Sequence, residues 1–510
     1  MQQQMGYTGR DLRFPHEEMK PIDRKTLLPL LSVAAVFIIS RFLYQQAGIH
    51  FDGDTYLGHW QFIDPLRLRT DLWRSVYYLH SQPPLLNLLT GLILQAFPSN
   101  HQEVFQFLFF VSGLVLAISI YLLGQAMQFP GWLSATLSMW FTVSPGTVLY
   151  ENLFGYTYPL ATALTLAGVA LYQFIRSGKN RWGSLFFFLL AAIALTWSLF
   201  HIIWLFAIVI LLVIILRERK KVIITALLPI LLVTGWYAKN LYLVGEFTAS
   251  SWAGMNLSKI ATFRYPEKER KRLVKAGELS KFALLPPFRS PPVYLKLLPD
   301  TPLTGIPLWD EVETSQGSRN HHHLVYVKAS GYYLRDALIV IRLNPGYYAR
   351  SVIQALYIYF HSPSDYDHTL ENRRQIKELD RWWNRLFYGQ WQSNETSIGR
   401  NLSMSAENVG WCIIVSFVVV IVCSILYLWK NRAQLSKPLY LLVLFMLVNI
   451  LFVSTVGNLM DIGENNRFRF VVDPFLLILF VFFLRTGISR FLTLKPKTVI
   501  PEQMAKSPGK

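Results

Sequence analysis

The chain has 510 residues, of which 52% are hydrophobic, 15% aromatic and only 16% charged. Because soluble domains carry about 25% charged residues, this composition excludes an ordinary soluble protein and predicts a polytopic membrane protein. The formal net charge of +18 does not predict a nucleic-acid partner, since the Lys and Arg residues gather between the hydrophobic segments, where they orient a membrane protein.

Ten apolar segments follow one another along the chain, and each predicts a transmembrane helix. They run, within a few residues, over 27–47, 104–127, 132–148, 153–174, 182–199, 202–216, 222–237, 409–429, 439–456 and 471–484. Several are shorter than the roughly 20 residues of a perpendicular span. The fold class that we predict is an all-α polytopic membrane protein with about ten spans.

The short basic loops predict the orientation of these spans. If the start of the chain is cytoplasmic, alternation through the segments places 176–181, 217–221, 430–437 and 485–497 in the cytoplasm. Every strongly basic short loop then obeys the positive-inside rule. We expect a multi-pass protein of a bacterial inner membrane, rather than of the endoplasmic reticulum, with its active site on the periplasmic or lumenal side.

One apolar segment does not fit this alternation. The stretch from Pro83 to Phe97 is shorter than a full span, and counting it as a crossing would place the later basic loops outside. We therefore interpret it as a re-entrant or surface-lying helix that begins at the Pro83-Pro84 pair.

The resulting domain organisation has one large region outside the membrane, which we expect to be mainly helical. The predicted units are a cytoplasmic tail (1–26), a transmembrane catalytic module (27–238) with an outer loop (48–103), an extracytoplasmic domain (239–408), C-terminal spans (409–486) and a second cytoplasmic tail (487–510). Triplets of the form N-x-S/T begin at Asn256, Asn394 and Asn401, and they matter only in a eukaryotic secretory membrane.

Acidic and basic residues collect on the predicted outer face. Asp52 and Asp54 stand in a D-G-D tripeptide just after the first span, and the same face receives His80, Glu151 and the late loop 463–470. The tripeptide alone is equally compatible with a solvated turn. Acids and arginines that converge at a membrane surface are suited to transfer to a hydroxyl from a phosphate-linked donor.

The order of these motifs resembles that of GT-C fold glycosyltransferases, in particular the group of dolichyl-phosphate-mannose protein mannosyltransferases and aminoarabinose transferases. The resemblance is carried by the first-loop acids with Tyr56 downstream, the P-P-L helix start, Glu151, the W-Y-A-K-N of 236–240 and the late R-F-R-F-V-V-D-P. It covers the membrane core and is weak over the external domain.

The resemblance implies an inverting transfer of one sugar from a polyprenyl-phosphate carrier to a hydroxyl of a lipid, glycan or protein acceptor. Asp52 matches the family's first-loop catalytic acid, with Asp54 as the alternative, and Glu151 matches the second-loop acid. Arg467 and Arg469 match the late-loop arginines that would hold the carrier phosphate.

Four basic residues are candidates to hold the carrier phosphate. If the late loop is extended, residues two apart face one side, so Arg467 and Arg469 could grip one headgroup. His80 and Lys239 are additional phosphate ligands, although a lysine at a helix end is more often an interface anchor. Where aminoarabinose transferases carry an acid-lysine pair before the proline, this chain has Ser81-Gln82, which leaves the donor sugar open.

The sequence gives little support for a metal. The run His321-His322-His323 has no evident acidic partner and adjacent side chains diverge, so no cofactor is assigned, with a divalent metal as a minor alternative. Two other functions are compatible with a membrane protein: a lipid-linked oligosaccharide ligase or polymerase, which relies on external Arg and His residues, and a lipid or solute transporter. A transporter predicts internal repeats and acids near the bilayer midplane, and neither is visible.

Overall fold

The protein is helical throughout the part of the chain that is described. The computed structural model describes residues 24–392 and 404–493, and in these ranges it contains two isolated β-bridges and no strand. The N-terminal tail up to residue 23, the C-terminal tail beyond 493 and the triplets at Asn394 and Asn401 lie outside the described residues.

The N-terminal half contains eleven α-helices. They are α1 (Arg24–Gln46), α2 (Pro65–Thr70), α3 (Leu72–Tyr78), α4 (Leu85–Ala96), α5 (His101–Ala126), α6 (Gly131–Val143), α7 (Pro145–Glu151), α8 (Thr157–Ser177), α9 (Asn180–Ala194), α10 (Ile202–Ile215) and α11 (Arg219–Val244). Gly178 follows α8 and Gly245 follows α11, each with a positive φ that a residue with a side chain rarely adopts.

The external region and the C-terminal part follow. The external helices are α12 (Ala253–Ile260), α13 (Glu267–Lys275), α14 (Pro291–Leu295), α15 (Pro307–Asp310), α16 (Val325–Leu343), α17 (Pro345–Tyr359), α18 (Leu370–Gln375) and α19 (Lys377–Trp383). The last group is α20 (Trp411–Lys430), α21 (Pro438–Met460), α22 (Asn465–Phe470) and α23 (Asp473–Thr493). The prediction of a mainly helical region between the spans agrees with this arrangement.

Each of the ten predicted segments overlaps one of these helices. Within the described residues, six helices are long and apolar enough to cross a membrane, namely α1, α5, α8, α11, α20 and α21. Helices α9 and α10 are apolar but shorter. The protein is therefore an integral membrane protein, and a count of ten crossings stays a prediction.

The apolar helices form one packed bundle. Helix α5 packs against α6 and α8, α8 against α9 and α21, and α20 against α23. Its core is filled by large apolar side chains such as Leu164, Phe186, Leu205 and Met446, all fully buried. Helix α4, the predicted re-entrant or surface-lying helix, packs against the short helices α2 and α3 of the same loop.

Basic side chains contact the turns at one end of the bundle. At one end the Lys221 ammonium donates to the Gly178 carbonyl over 3.2 Å, and the Arg485 guanidinium donates to the Gln128 carbonyl over 2.6 Å. The first contact joins the start of α11 to the turn after α8, and the second joins α23 to the turn after α5. The opposite end carries the first outer loop and the external helices. This separation is the one that the positive-inside argument requires, and which end is cytoplasmic stays a prediction.

Candidate functional site

Four separate loops meet around one buried arginine, Arg467. They form a narrow cavity of about 30 Å³, called here the Arg467 cavity. Its lining comes from the first outer loop (Thr55, His59, Gln61, Phe62), the segment from α7 to α8 (Tyr150, Leu153, Phe154, Gly155, Tyr156, Thr157, Tyr158), the external region (Tyr366, His368) and the late loop (Arg467). The space holds about one water molecule, so a larger ligand requires these loops to separate.

Arg467 is held by rings and by one acid. Its guanidinium lies 5.0 Å from the ring centroid of Tyr156 and 5.5 Å from that of Tyr366. One terminal nitrogen is 2.7 Å from the Glu464 carboxylate and the other donates to the Thr157 hydroxyl over 3.3 Å, whereas Nε is buried without a hydrogen-bond partner. A buried donor without a partner is costly, so an anion that accepts from it would bind favourably.

Glu464 supplies the negative charge beside Arg467. Burial opposes its ionisation, but the positive charges of Arg467 and Lys259 outweigh that effect and lower the pKa of Glu464. The Lys259 ammonium is itself paired with Asp461 at 2.5 Å. A second ion pair thus lies close to the Arg467–Glu464 pair, and an anionic ligand at Arg467 would have to compete with Glu464.

The late loop is a helix and not an extended segment. Residues Asn465–Phe470 form α22, and in an α-helix residues two apart point to nearly opposite sides. The prediction that Arg467 and Arg469 grip one headgroup together is wrong for this reason. The sequence signal was ambiguous, because N-N-R-F-R-F alternates polar and apolar residues as a strand would.

Arg469 occupies a different environment behind α22. Its side chain is 0% exposed, and it donates to the carbonyl oxygens of Tyr359 and His361 and pairs with Asp473 at 3.0 Å. The same side of α22 borders a large apolar cavity of about 650 Å³ between α6, α20 and α23, the Arg469 cavity. These contacts fasten the external region to the last helix.

The two acids of the first outer loop are not equivalent. The Asp52 amide donates to the Asn152 carbonyl over 2.8 Å and the Asp52 carbonyl accepts from the Phe154 amide over 3.0 Å. This bridge places Asp52 beside the wall of the Arg467 cavity, and its carboxylate has no hydrogen-bond or ion-pair partner among the described residues. The Asp54 carboxylate is exposed and accepts from the Gln102 side chain over 2.5 Å.

Glu151 is held in an ion pair within the protein. The Arg41 guanidinium of α1 forms a two-pronged contact with its carboxylate, which also accepts from the Tyr158 hydroxyl over 2.7 Å. The structure therefore places Glu151 beside a charged partner in α1, and its role as the second catalytic acid stays a prediction. A charged residue inside the first apolar segment was the available signal for Arg41.

His80 joins the outer loops and does not reach the Arg467 cavity. Its Nε2 donates to the His322 carbonyl over 2.9 Å and its Nδ1 lies 2.8 Å from the Ser251 hydroxyl. Burial lowers the pKa of His80 to about 3. A neutral ring with both nitrogens occupied is not suited to bind a phosphate, which argues against the predicted role.

Lys239 also contacts protein groups. Its ammonium donates to the Leu79 carbonyl over 2.5 Å and lies 3.5 Å from the ring centroid of Trp236. It does not line the Arg467 cavity. Of the predicted phosphate ligands, only Arg467 faces that cavity.

The three adjacent histidines serve separate contacts. His322 donates from Nε2 to the Phe62 carbonyl over 2.8 Å and lies 2.5 Å from the Ser81 hydroxyl, whereas Nδ1 of His323 accepts from the amide of Val325. The ring of His321 stacks on Tyr326. The described residues contain no group of three His, Cys, Asp or Glu side chains that could hold a metal.

Sequence reasoning missed several residues of the Arg467 cavity. The rings of His59 and His368 meet edge to face with their centroids 5.6 Å apart, and Tyr366 lies beside them. His368 belongs to S-P-S-D-Y-D-H, which is most simply interpreted as a polar turn. The signal that could have found it was the density of His, Asp and Tyr in one short segment of the external domain.

A third cavity lies between α1 and α5 on the far side of the Asp52 bridge. It has a volume of about 220 Å³ and is called the Arg41 cavity. Its lining includes Arg41 and Glu151 together with Gln45, Gln106 and Asn152.

Comparison with known proteins gives a distant likeness. No protein-family model and no curated protein matches the chain. The archaeal oligosaccharyltransferase AglB from Archaeoglobus fulgidus, in complex with an inhibitory peptide and a dolichol-phosphate, matches 93% of this chain and 52% of its own at 10% identity and a TM-score of 0.38. The Archaeoglobus fulgidus oligosaccharyltransferase tethered to an acceptor peptide matches 93% and 51% at 11% identity and a TM-score of 0.40. The chain spans about half the length of each.

Proposed function

We propose that this membrane protein is a glycosyltransferase of the GT-C type that moves one sugar from a polyprenyl-phosphate carrier to a hydroxyl acceptor at the outer face. The observation that carries the proposal is the Arg467 cavity. A buried guanidinium with an unsatisfied Nε is suited to bind the phosphate of such a donor, and Asp52 stands next to the wall of that cavity.

The chemistry assigns one role to each of these two residues. The Asp52 carboxylate accepts the proton of the acceptor hydroxyl while the hydroxyl oxygen forms a bond to the anomeric carbon. The bond between that carbon and the phosphate oxygen breaks, and its electron pair stays on the leaving polyprenyl phosphate. Arg467 stabilises the added negative charge on the phosphate. Attack opposite to the leaving group inverts the configuration at the anomeric carbon.

Replacing Asp52 by Asn tests this assignment. The amide keeps the size of the side chain but accepts no proton, so sugar transfer from a radiolabelled polyprenyl-phosphate hexose in reconstituted vesicles should fall roughly 100-fold or more. Asp54→Asn is the matched control, because its carboxylate is exposed and bonded to Gln102. Equal activity of Asp52→Asn and wild type would contradict the mechanism.

A lipid-linked oligosaccharide ligase or polymerase is the second candidate. Two histidines, His59 and His368, meet edge to face beside Arg467, and such enzymes depend on external His and Arg residues. Burial, followed by the neighbouring His368, lowers the pKa of His59 to about 3, which makes His59 a weak base. Activity that survives Asp52→Asn but is lost in His368→Gln would favour this candidate.

A further inference from the structure

The Asp52 bridge separates two cavities of different character. Leu153 and Phe154 line the Arg467 cavity on one side of it, whereas Phe51 and Asn152 line the Arg41 cavity on the other. A base at a partition of this kind can serve two reactants that enter from opposite sides. The two cavities therefore fit a donor and an acceptor.

The Arg41 cavity offers no free charge. Every nitrogen of Arg41 donates to a protein acceptor: Nε and one terminal nitrogen to Glu151, and the other to the Ser40 hydroxyl and the Thr142 carbonyl. The pair with Glu151 cancels the only two charges in the lining. The Arg467 cavity, with its unsatisfied guanidinium, suits an anion, and the Arg41 cavity suits a neutral group.

Amide side chains supply the hydrogen-bonding capacity of the Arg41 cavity. Gln45 and Gln106 have no side-chain hydrogen bond among the described residues, and Asn152 uses its amide nitrogen to donate to the Val148 carbonyl over 2.9 Å. An amide both donates and accepts, as neighbouring hydroxyl groups do. This lining matches a headgroup that carries several hydroxyls.

Access to the Arg41 cavity is from the side of the bundle. Ile38 and Phe42 line it and are 52% and 59% exposed on a helix that is long and apolar enough to span the membrane. Gln45 stands one turn, roughly 6 Å, nearer the end of α1 than Arg41. The opening along α1 is therefore bordered by the exposed apolar side chains of Ile38 and Phe42 and, nearer the end of the helix, by the amide of Gln45, which suits a lipid with a polar headgroup.

We infer that the acceptor is a neutral lipid with a hydroxylated headgroup, such as a hexosyl diacylglycerol, which enters between α1 and α5. The inference rests on the proposed function. Its headgroup hydroxyl gives its proton to Asp52 and its oxygen to the anomeric carbon of the donor, and the polyprenyl phosphate leaves on the Arg467 side.

The first test measures where the sugar goes. Vesicles that contain the purified protein, a labelled polyprenyl-phosphate hexose and a monohexosyl diacylglycerol should form a labelled dihexosyl lipid. The double variant Gln45→Leu/Gln106→Leu keeps side-chain size but removes both amides, so this product should fall about tenfold. Gln434→Leu, at an exposed glutamine in the turn between α20 and α21, should retain wild-type activity.

The second test does not depend on catalysis. A photoreactive benzoylphenylalanine at position 42 should crosslink a labelled monohexosyl diacylglycerol, and excess unlabelled lipid should compete. The control is the same label at Val418, which is 52% exposed on α20. Equal, non-competed crosslinking at both positions would overturn the inference, as would unchanged lipid glycosylation in the double variant.

Failure of the proposed function gives a different result. In that case the wild-type protein consumes no polyprenyl-phosphate hexose with any acceptor. Donor consumption with label only in a protein or water-soluble product would overturn the lipid acceptor alone.

Discussion

Arg467 owes its suitability for a phosphate to an incomplete set of contacts. Its single carboxylate partner, Glu464, is one-third exposed, and the surrounding rings offer only their faces. Arg469 differs because two carbonyl oxygens and Asp473 share its donors, although one of its terminal nitrogens is also buried without a partner. Because Arg469 has these three partners and borders an apolar cavity, we interpret it as a structural residue.

Arg467→Lys should lower kcat/KM for the polyprenyl-phosphate donor without abolishing it. Lysine keeps the charge but loses the planar fork and the stacking on Tyr156, so we expect a loss of roughly 1 to 2 kcal/mol, against 2 to 4 kcal/mol for Arg467→Ala. Donor titration in vesicles measures this. Arg350→Lys, an exposed arginine over the ring of Tyr347, is the matched control. A loss of equal size in both variants would show that Arg467 is not a ligand.

Glu464→Gln should tighten binding of the phosphate. The substitution removes the carboxylate that competes for Arg467 while keeping its shape, so the Kd of a short-chain polyprenyl phosphate should fall several-fold, equivalent to about 1 kcal/mol. Equilibrium binding to detergent-solubilised protein measures it. Weaker binding would mean that Glu464 positions Arg467 and does not compete with the ligand.

At the scale of elements, the apolar runs predicted the helices well and the loops poorly. A run of apolar residues near 20 long has few alternatives to a helix in a membrane, which is why all ten segments overlap helices. The six-residue helix α22 is too short for periodicity to distinguish it from a strand. The Asp52 bridge and the pairing of Arg41 with Glu151 join residues far apart in sequence, and no local pattern reports such contacts.

The buried histidines that join the first outer loop to the external region predict a pH dependence of stability. Burial lowers the pKa of His80 to about 3 and that of His322 to about 4. In the unfolded chain a histidine has a pKa near 6.5, so at a pH below 6.5 the unfolded chain binds protons that the folded chain does not. The free energy of unfolding is therefore highest above about pH 6.5 and decreases as the pH falls. At pH 5 the loss is roughly 2 kcal/mol per histidine.

Thermal unfolding in detergent at pH 7.5 and pH 5.0 measures this effect. His80→Gln should lower Tm at pH 7.5, because it disturbs the contacts with Ser251 and His322, yet show a smaller drop on acidification than wild type. His50→Gln, at an exposed position, should behave as wild type. An identical acid shift in wild type and His80→Gln would exclude His80 as a contributor.

At the scale of the whole molecule, the separation of the bundle's ends predicts the orientation. The Arg467 cavity and the external helices lie at one end, and the basic turns lie at the other. Positive charge is retained in the cytoplasm, so the cavity should face outward.

Cysteine labelling tests this orientation in a background without Cys412 and Cys423. Lys268→Cys on α13 should react with an impermeant maleimide in intact cells, whereas Lys220→Cys on α11 should react only after permeabilisation. Both lysines are exposed, so the two positions differ only in the side of the membrane from which the reagent can reach them. Labelling of Lys220→Cys from outside would invert the topology and place the site in the cytoplasm.

The assembly of one cavity from loops at both ends of the sequence has a consequence for biosynthesis. His59 and Tyr156 leave the ribosome long before Tyr366 and Arg467 do, by on the order of half a minute at 5 to 20 residues per second. In the proposed mechanism, the lipid donor is already present in the bilayer when the nascent chain enters it, but Arg467, which would hold the donor phosphate, has not yet been synthesised. The proposed mechanism therefore predicts that a polypeptide arrested before α22 is inert, and that activity begins only when α22 packs into the bundle.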